Sequence, residues 1–308
     1  TDPGHRLLLH PSRRNRGARV IAFIRRHLLT LVAIIVLVYL FIPVAVVGVL
    51  SFNDPASDYN TQWNQFSLDA WTNICGVPAV CDSFMVSIRI ALISTLVATT
   101  LGTMIAIALV RYRFRGRQST NLLIFLPIST PDVVMGASLL ALFLNLRFPL
   151  GQTTVIIAHI MFTISFVVVA VKARLQGMDP SLEEAARDLY ASPAATVRYV
   201  TFPLVAPGIA GAALLGFALS FDDFIISFFN AGTTVTFPIY IWGAAQRGIP
   251  VQVNALATLV FLIALGIVLI AQFVAWRRRK ALNAEMFEQL AARQEKRAPI
   301  TMDTLSRS

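Results

Sequence analysis

Six long apolar runs dominate the pattern of hydrophobic and polar positions along this chain. Each run is long enough to cross a bilayer as a helix of about 20 residues. Pro43 lies inside the first run and predicts a kink there. The pattern predicts an all-α membrane protein with six transmembrane helices, near residues 28–50, 84–110, 122–146, 153–172, 204–229 and 254–276.

The composition excludes a soluble globular domain. Of the 308 residues, 56% are hydrophobic and only 14% are charged, and the mean hydropathy is +0.68. A soluble chain of this length could not bury six such runs in its interior. The formal net charge of +10 could suggest nucleic-acid binding, but its uneven distribution is better explained by a membrane, so we expect no nucleic-acid partner.

Lys and Arg cluster on one side of the predicted spans, whereas the opposite loops hold only Arg147 and Arg247. The positive-inside rule therefore predicts that both termini are cytoplasmic. The predicted organisation is a basic cytoplasmic segment at 1–27, a transmembrane domain at 28–276 and a cytoplasmic tail at 277–308. The first apolar run is too long for a signal peptide, so we expect a retained helix.

The longest polar interruption between the first and last spans is residues 179–207. Ser181 followed by Glu184 predicts a capping box, and Ser192 followed by Pro193 predicts a second helix start. The interruption is either an ordinary loop with well-capped helices or a short helix–turn–helix that presents a small-residue surface to a partner. The apolar face of its first helix, with Glu183 and Arg187 off that face, comprises Leu182, Ala185, Ala186 and Leu189.

Cys75 and Cys81 are the only cysteines, and both fall in an outer loop on the oxidising side of the membrane. A disulfide between them and a pair of free thiols are equally compatible with the sequence. Two cysteines without a nearby histidine make a poor metal site, so we expect no metal. The chain also lacks a phosphate-binding loop and a catalytic motif, and we expect no catalytic residue.

Polar residues recur inside the third and fifth predicted spans. Asp132 lies about 15 Å along the third helix from its start, near the membrane midplane. Asp222 is about 100° away from Asp223 on the helix and cannot share its face. His159 in the fourth span is expected to form hydrogen bonds between helices. The predicted faces consist of Phe125, Ser129, Asp132 and Gly136 in span three, and of Gly216, Ser220, Asp223, Ser227 and Asn230 in span five.

The polar interruption resembles the "EAA" loop of ABC-importer permeases, in Glu184-Ala185-Ala186 and in the spacing to Pro203. In that family the loop is the coupling helix that docks into a groove of the ATPase subunit. This chain has Tyr190 where the family usually has glycine, which would allow a positive φ at the turn. The resemblance implies these ATPase-coupling residues: Glu183, Glu184, Ala185, Ala186, Arg187, Asp188, Leu189, Tyr190, Ala191 and Pro203.

Further motifs resemble those of spermidine/putrescine ABC-importer permeases, specifically the C-type subunit. They are Arg111 to Gly116, Thr130 to Met135, the Glu184 loop, Phe221-Asp222-Asp223 and Val253 to Thr258. The resemblance implies a type I importer (MetI-like) permease fold in the bacterial plasma membrane. It also implies the partners: a second homologous permease subunit, two ATPase subunits, an extracytoplasmic substrate-binding protein and membrane lipid. ATP and Mg would bind the partner ATPase and no cofactor would bind this chain.

The acids inside the spans are expected to line a path for a polyamine, with Asp222 supporting Asp132 and Asp223. Ionisable residues are costly in a membrane, so they usually face a cavity or a partner. The alternative is that they hold structural or gating salt bridges. The complete proposed path comprises Asp132, Asp222, Asp223, Ser129, Ser220, Ser227, Phe125, Phe221 and Trp242.

Other functions remain open at this point. The chain could be the permease of an importer for another small solute, such as a sugar, a ferric ion or an opine-like amine. A secondary transporter or channel would explain the six helices and the acids, but not the alanine-rich cytosolic loop. A membrane scaffold or sensor would explain the helices, but not the acids inside the spans.

Overall fold

The computed structural model describes residues 14–57 and 59–297. Within these residues the chain forms twelve α-helices, one π-helical turn and two strands of two residues each. In chain order they are α1 Arg14–Leu50, β1 Asn53–Asp54, β2 Gln65–Phe66, α2 Asp69–Thr72, α3 Pro78–Arg111, α4 Arg117–Ser129, α5 Asp132–Asn145, α6 Gln152–Gln176, α7 Ser181–Asp188, α8 Pro193–Thr196, the π-helical turn Val197–Thr201, α9 Phe202–Asp222, α10 Ile225–Asn230, α11 Phe237–Arg247 and α12 Val251–Arg297.

Within the described residues, five helical stretches are long and apolar enough to cross a membrane, which confirms five of the predicted spans with shifted bounds. The span predicted at 84–110 begins earlier, at Pro78. The span predicted at 204–229 ends at Asp222 and not near residue 229. Parts of the predicted terminal segments 1–27 and 277–308 lie outside the described residues. The five stretches are His27–Leu50, Pro78–Arg111, Gln152–Gln176, Pro193–Asp222 and Val251–Arg277.

The third predicted span is broken into α4 and α5, which meet at 108°. Pro131 disfavours the helical region for the residue before it, and Thr130 is accordingly extended, with φ −90° and ψ 132°. Ser129 therefore ends α4, and Asp132 starts α5 in a new direction. The predicted single polar face along this span is wrong, because it assumed one straight helix.

A second break follows α9. Asp223 leaves the helical region, with φ −65° and ψ 116°, and a new helix, α10, starts at Ile225. The predicted span at 204–229 is thus two helices. The polar stripe expected along it is buried at Gly216, Ser220, Ser227 and Asn230.

The described chain divides into two compact units, of which one is residues 54–253. In this unit α3, α6 and α9 pack around one apolar cluster. Gly102 permits the close approach of α3 and α6, because a Cβ there would lie 2.7 Å from Cγ1 of Val167. The cluster consists of Ala106 and Leu109 of α3, Val167, Val168, Val171 and Leu175 of α6, and Val205 and Ala212 of α9.

The other unit contains α1 and the part of α12 from Asn254 onwards. The rings of Phe41 and Phe261 meet edge to face, with their centroids 6.3 Å apart. An apolar groove beside them is lined by Pro43, Val44, Val47, Ala257, Thr258 and Phe261. The two helices therefore associate through apolar side chains.

The loop before α3 contains a disulfide between Cys75 and Cys81, whose Cα atoms are 5.5 Å apart. Of the two states that the sequence left open, the structure has the bonded one. Because α3 already starts at Pro78, the bond joins the loop to the first turn of a membrane-spanning helix.

Candidate functional site

The start of α7 is capped by a residue outside the predicted capping box. Asp179 Oδ1 accepts a hydrogen bond of 3.0 Å from the backbone N–H of Ser181. Hydrogen bonds from the Ser181 backbone and side chain lower the pKa of Asp179 below its ordinary value. The prediction that Ser181 itself caps the helix is therefore wrong. The second predicted cap is confirmed, since Ser192 Oγ accepts from the backbone N–H of Ala195 at 3.2 Å.

The apolar face of α7 points away from the chain. Leu182 is 45% exposed and Leu189 is 82% exposed, while Ala186 is half-buried. This face of α7 is therefore largely uncovered within the chain.

Tyr190 adopts the left-handed conformation with φ 60°. Its N–H donates to the carbonyl of Arg187 at 2.9 Å, and the N–H of Ala191 donates to that of Ala186 at 3.1 Å. This is the Schellman pattern, which usually has glycine at the left-handed residue. The turn is therefore kept without glycine, and the Tyr190 side chain is 98% exposed.

Glu183 lies on the opposite side of α7 and is buried. Its Oε1 lies 2.9 Å from Nη2 of Arg111 and accepts a 2.8 Å hydrogen bond from the hydroxyl of Thr201. Sequence periodicity put Glu183 off the apolar face but did not indicate its burial. The other coupling residues that the resemblance named are exposed or half-buried: Glu184, Ala185, Arg187, Asp188, Ala191 and Pro203.

A buried polar cluster joins α6 to the break between α9 and α10. His159 Nδ1 is 2.7 Å from Ser220 Oγ, and its Nε2 is 3.0 Å from Ser227 Oγ and 3.2 Å from Asp223 Oδ2. Asp223 also caps α10, because its Oδ2 accepts the backbone N–H of Ser227 at 2.9 Å. The expectation that His159 bonds between helices is confirmed.

The two neighbouring acids differ from the expectation that Asp223 lines the path and Asp222 only supports it. The Asp223 side chain is 9% exposed and fully engaged, whereas Asp222 borders a cavity of about 490 Å³. The ring centroids of Phe224 and Trp242 lie 5.3 Å apart at this cavity. Its lining is Phe221, Asp222, Phe224, Phe237, Pro238, Ile241, Trp242 and Ala245.

The structure does not bring the third acid to this cavity. Asp132 is exposed at the start of α5 and is not among the lining residues. Ser129 donates its hydroxyl to the carbonyl of Phe125 at 3.1 Å, and both residues are exposed on α4. Of the predicted path residues, the cavity thus joins Asp222, Phe221 and Trp242, while Ser220 and Ser227 belong to the His159 cluster.

The sequence interpretation missed two pairings, that of Asp223 with His159 and that of Glu183 with Arg111. Predicted spans three and five contain no lysine or arginine, and the pattern along them does not by itself indicate a histidine of span four as the partner of their acids. A signal was present, since Ser220 and Ser227 are seven residues apart and so lie on one helical face, with Asp223 between them.

Residues 98–281 match the family described as binding-protein-dependent transport system inner membrane component. The chain belongs to this family. It is therefore a membrane-spanning permease subunit of the ABC-importer type, and this favours the importer over the secondary transporter and the scaffold.

Curated relatives match about four-fifths of this chain. The chain is 34% identical to the spermidine/putrescine transport system permease protein PotC of Haemophilus influenzae, over 78% of this chain and 93% of that protein. It is 35% identical to PotC of Escherichia coli K12, over 80% of this chain and 94% of that protein. It is also 35% identical to the putrescine transport system permease protein PotI of the same strain, over 77% of this chain and 85% of that protein.

Solved structures confirm the fold. A chain of the bacterial alginate ABC transporter superposes with a TM-score of 0.57 at 17% identity, covering 82% of this chain and 96% of that one. A chain of the MetNI methionine ABC transporter gives a TM-score of 0.53 at 15% identity, covering 64% of this chain and 95% of that one. The expected MetI-like permease fold is therefore correct.

Proposed function

We propose that this chain is one of two permease subunits of an ATP-driven importer for polyamines such as spermidine and putrescine. The relatives that match it over most of its length are named for these solutes. The observation that carries the proposal is the cavity at Asp222, where one carboxylate lies among several aromatic rings.

Such a cavity suits an ammonium group. A carboxylate attracts a cation, and aromatic faces add cation–π contacts of about 0.5–2 kcal/mol each. A polyamine has several separated ammonium groups. Asp132, Ser129 and Phe125, exposed on α4 and α5, are proposed to contact another part of the same chain-like solute.

The loop at 179–207 is proposed to couple the permease to its ATPase. Its exposed leucines and Tyr190 offer an apolar surface to a groove on that subunit. The proposed assembly contains a second homologous permease, two ATPase subunits and an extracytoplasmic binding protein. ATP and Mg would bind the ATPase subunits, which would carry out hydrolysis, and this chain would bind no cofactor.

The distribution of Lys and Arg supports an orientation with both termini in the cytoplasm. In this orientation Arg111, the 179–207 loop and the segments 1–27 and 277–308 are cytoplasmic. The Cys75–Cys81 bond then faces the oxidising side, where disulfides persist.

Uptake by the reconstituted assembly tests the proposal. Vesicles containing both permeases and the ATPase, supplied with the binding protein, should accumulate radiolabelled spermidine or putrescine only when ATP is present. Unlabelled polyamine should compete and a neutral sugar should not. ATP-independent uptake would contradict the importer, and equal competition by the sugar would contradict the substrate class.

A further inference from the structure

The helix α7 has few means of attachment to the rest of the chain. Glu183 is its one buried residue, and the large apolar neighbours Leu182 and Leu189 are exposed. A helix in a soluble unit is normally held by its apolar face. Here that face points outward, so α7 is held on its inner side by a charged residue.

Glu183 joins three separate elements. Arg111 is the last residue of α3, and Thr201 is the last residue of the π-helical turn that leads into α9. One carboxylate oxygen of Glu183 contacts both, at 2.9 Å to the guanidinium and 2.8 Å from the hydroxyl. We call these three residues the Glu183 junction.

The surroundings of the Glu183 junction leave the polar contacts as the main connection. A cavity of about 490 Å³ borders it, so close apolar packing does not bind α7 to α3 at this point. The Glu183 and Arg111 side chains are only 10% and 22% exposed, so solvent screens their attraction weakly. The cavity is lined by Ile107, Arg111, Tyr112, Glu183, Arg187, Ala191, Pro193, Thr196, Val197 and Thr201.

The residues joined by Glu183 lie next to the apolar core of the spanning helices. Leu109 of α3 and Val205 of α9 are close in sequence to Arg111 and Thr201, and both belong to the buried cluster that packs α3, α6 and α9 together. A displacement of α7 that is passed to Arg111 and Thr201 is therefore passed to that packed group.

We infer that Glu183 is a positioning residue that transmits the movement of α7 to α3 and α9 during transport. This inference rests on the proposed function, since it assumes that an ATPase moves α7. It assigns Glu183 a role apart from docking, because its carboxylate is directed into the chain and not toward the exposed face. The adjacent Glu184 is exposed and makes none of the contacts of the Glu183 junction.

Breaking the ion pair between Glu183 and Arg111 would loosen α7 from α3. Removing one charge of a buried ion pair leaves the other unpaired and more costly than the pair was. α7 would then separate from α3 while its outer face remained intact. The ATPase would still dock and hydrolyse ATP, but its movement would reach the spanning helices only in part.

The experiment measures coupling in the reconstituted assembly of both permeases, ATPase and binding protein. The variants are Glu183→Gln, Arg111→Met and the charge exchange of Glu183→Arg with Arg111→Glu. The control is Arg113→Met, which removes an exposed arginine two residues away. Copurified ATPase, ATP hydrolysis and labelled spermidine uptake are measured for each.

We expect the amount of solute imported per ATP hydrolysed to fall about tenfold in both single variants, with normal amounts of copurified ATPase. The charge exchange should recover most of the loss, and Arg113→Met should equal the wild type. Amide hydrogen exchange in residues 181–188 of the assembly should be faster in Glu183→Gln, because α7 would be held less firmly.

Three results would overturn the inference. One is an unchanged coupling ratio in Glu183→Gln, which keeps the shape and one hydrogen-bonding oxygen and is therefore expected to fold even if Arg111→Met does not. Another is loss of ATPase from this variant, which would make Glu183 a docking or folding residue. The third is no recovery in the charge exchange. A wild-type assembly that recruits no ATPase would instead refute the proposed function itself.

Discussion

The carboxylate of Asp223 lies 3.2 Å from Nε2 of His159; the His159 side chain is buried and that of Asp223 is only 9% exposed. The same carboxylate caps α10 and so fixes the direction in which the chain leaves the end of α9. Its neighbour Asp222 makes no such contact and borders the aromatic cavity. Of these two adjacent acids, Asp223 holds the break between α9 and α10, while Asp222 borders the cavity and is the one that we propose faces a solute.

Asp223→Asn should destabilise the permease. The amide keeps the shape but weakens the cap and the contact with His159, at an expected cost of about 1–3 kcal/mol. The measurement is the thermal unfolding of the permease in detergent, followed by the fluorescence of its tryptophans. Asp222→Asn is the comparison and should unfold at the wild-type temperature. Equal stability of the two variants would contradict the assignment of Asp223 to the break.

Asp222→Asn should instead impair transport. Loss of one charge-assisted contact of about 1.5–3 kcal/mol corresponds to about a ten- to hundredfold lower efficiency of spermidine uptake. Labelled uptake at several spermidine concentrations measures it. Asp82→Asn, an exposed acid in the first turns of α3, should transport normally. Normal uptake by Asp222→Asn would show that the cavity carboxylate does not contact the solute.

Ala186→Arg should abolish docking of the ATPase. Ala186 is half-buried on the outer face of α7, where a long cation would hold the partner surface away. The amount of ATPase that copurifies with the permease is measured, and we expect little or none. Ser119→Arg adds the same charge at an exposed position of α4 and should copurify normally. Undiminished ATPase with persistent uptake in Ala186→Arg would exclude the docking role.

Tyr190→Gly should have effects of opposite sign on stability and docking. Glycine relieves the left-handed strain of about 1–2 kcal/mol, so the isolated permease should unfold at a higher temperature. It also removes a ring that is 98% exposed, so ATPase binding should weaken. Tyr112→Gly is the control, because Tyr112 is exposed with an ordinary φ of −115° and should lose stability. Unchanged ATPase affinity would mean that the Tyr190 ring has no partner.

The bond between Cys75 and Cys81 should be detectable directly. Mass spectrometry of non-reduced peptides should find the two joined, and alkylation should label neither before reduction. Labelling of both without reduction would show that the protein in the membrane holds free thiols.

The number and location of the spans could be predicted from the sequence because apolar runs of this length have few alternatives to crossing a membrane. The second helix cap, at Ser192, could also be predicted, because Ser192 and the N–H group that it caps are only three residues apart in the chain. The bounds of the third span were wrong for a local reason, because Pro131 keeps Thr130 extended and ends α4. The break at Asp223 is not local in the same sense, since its carboxylate contacts His159 of α6 as well as capping α10.

The sequence by itself determined that this is a helical membrane protein with a capped polar loop at 179–207. Those properties depend on composition, periodicity and short spacings, which are present in the linear chain. Only the tertiary structure decided which ionisable groups meet. Arg111 and Glu183, and likewise His159 and Asp223, are more than sixty residues apart in the chain, and a carboxylate removed from solvent takes whichever partner the packing of helices brings within about 4 Å.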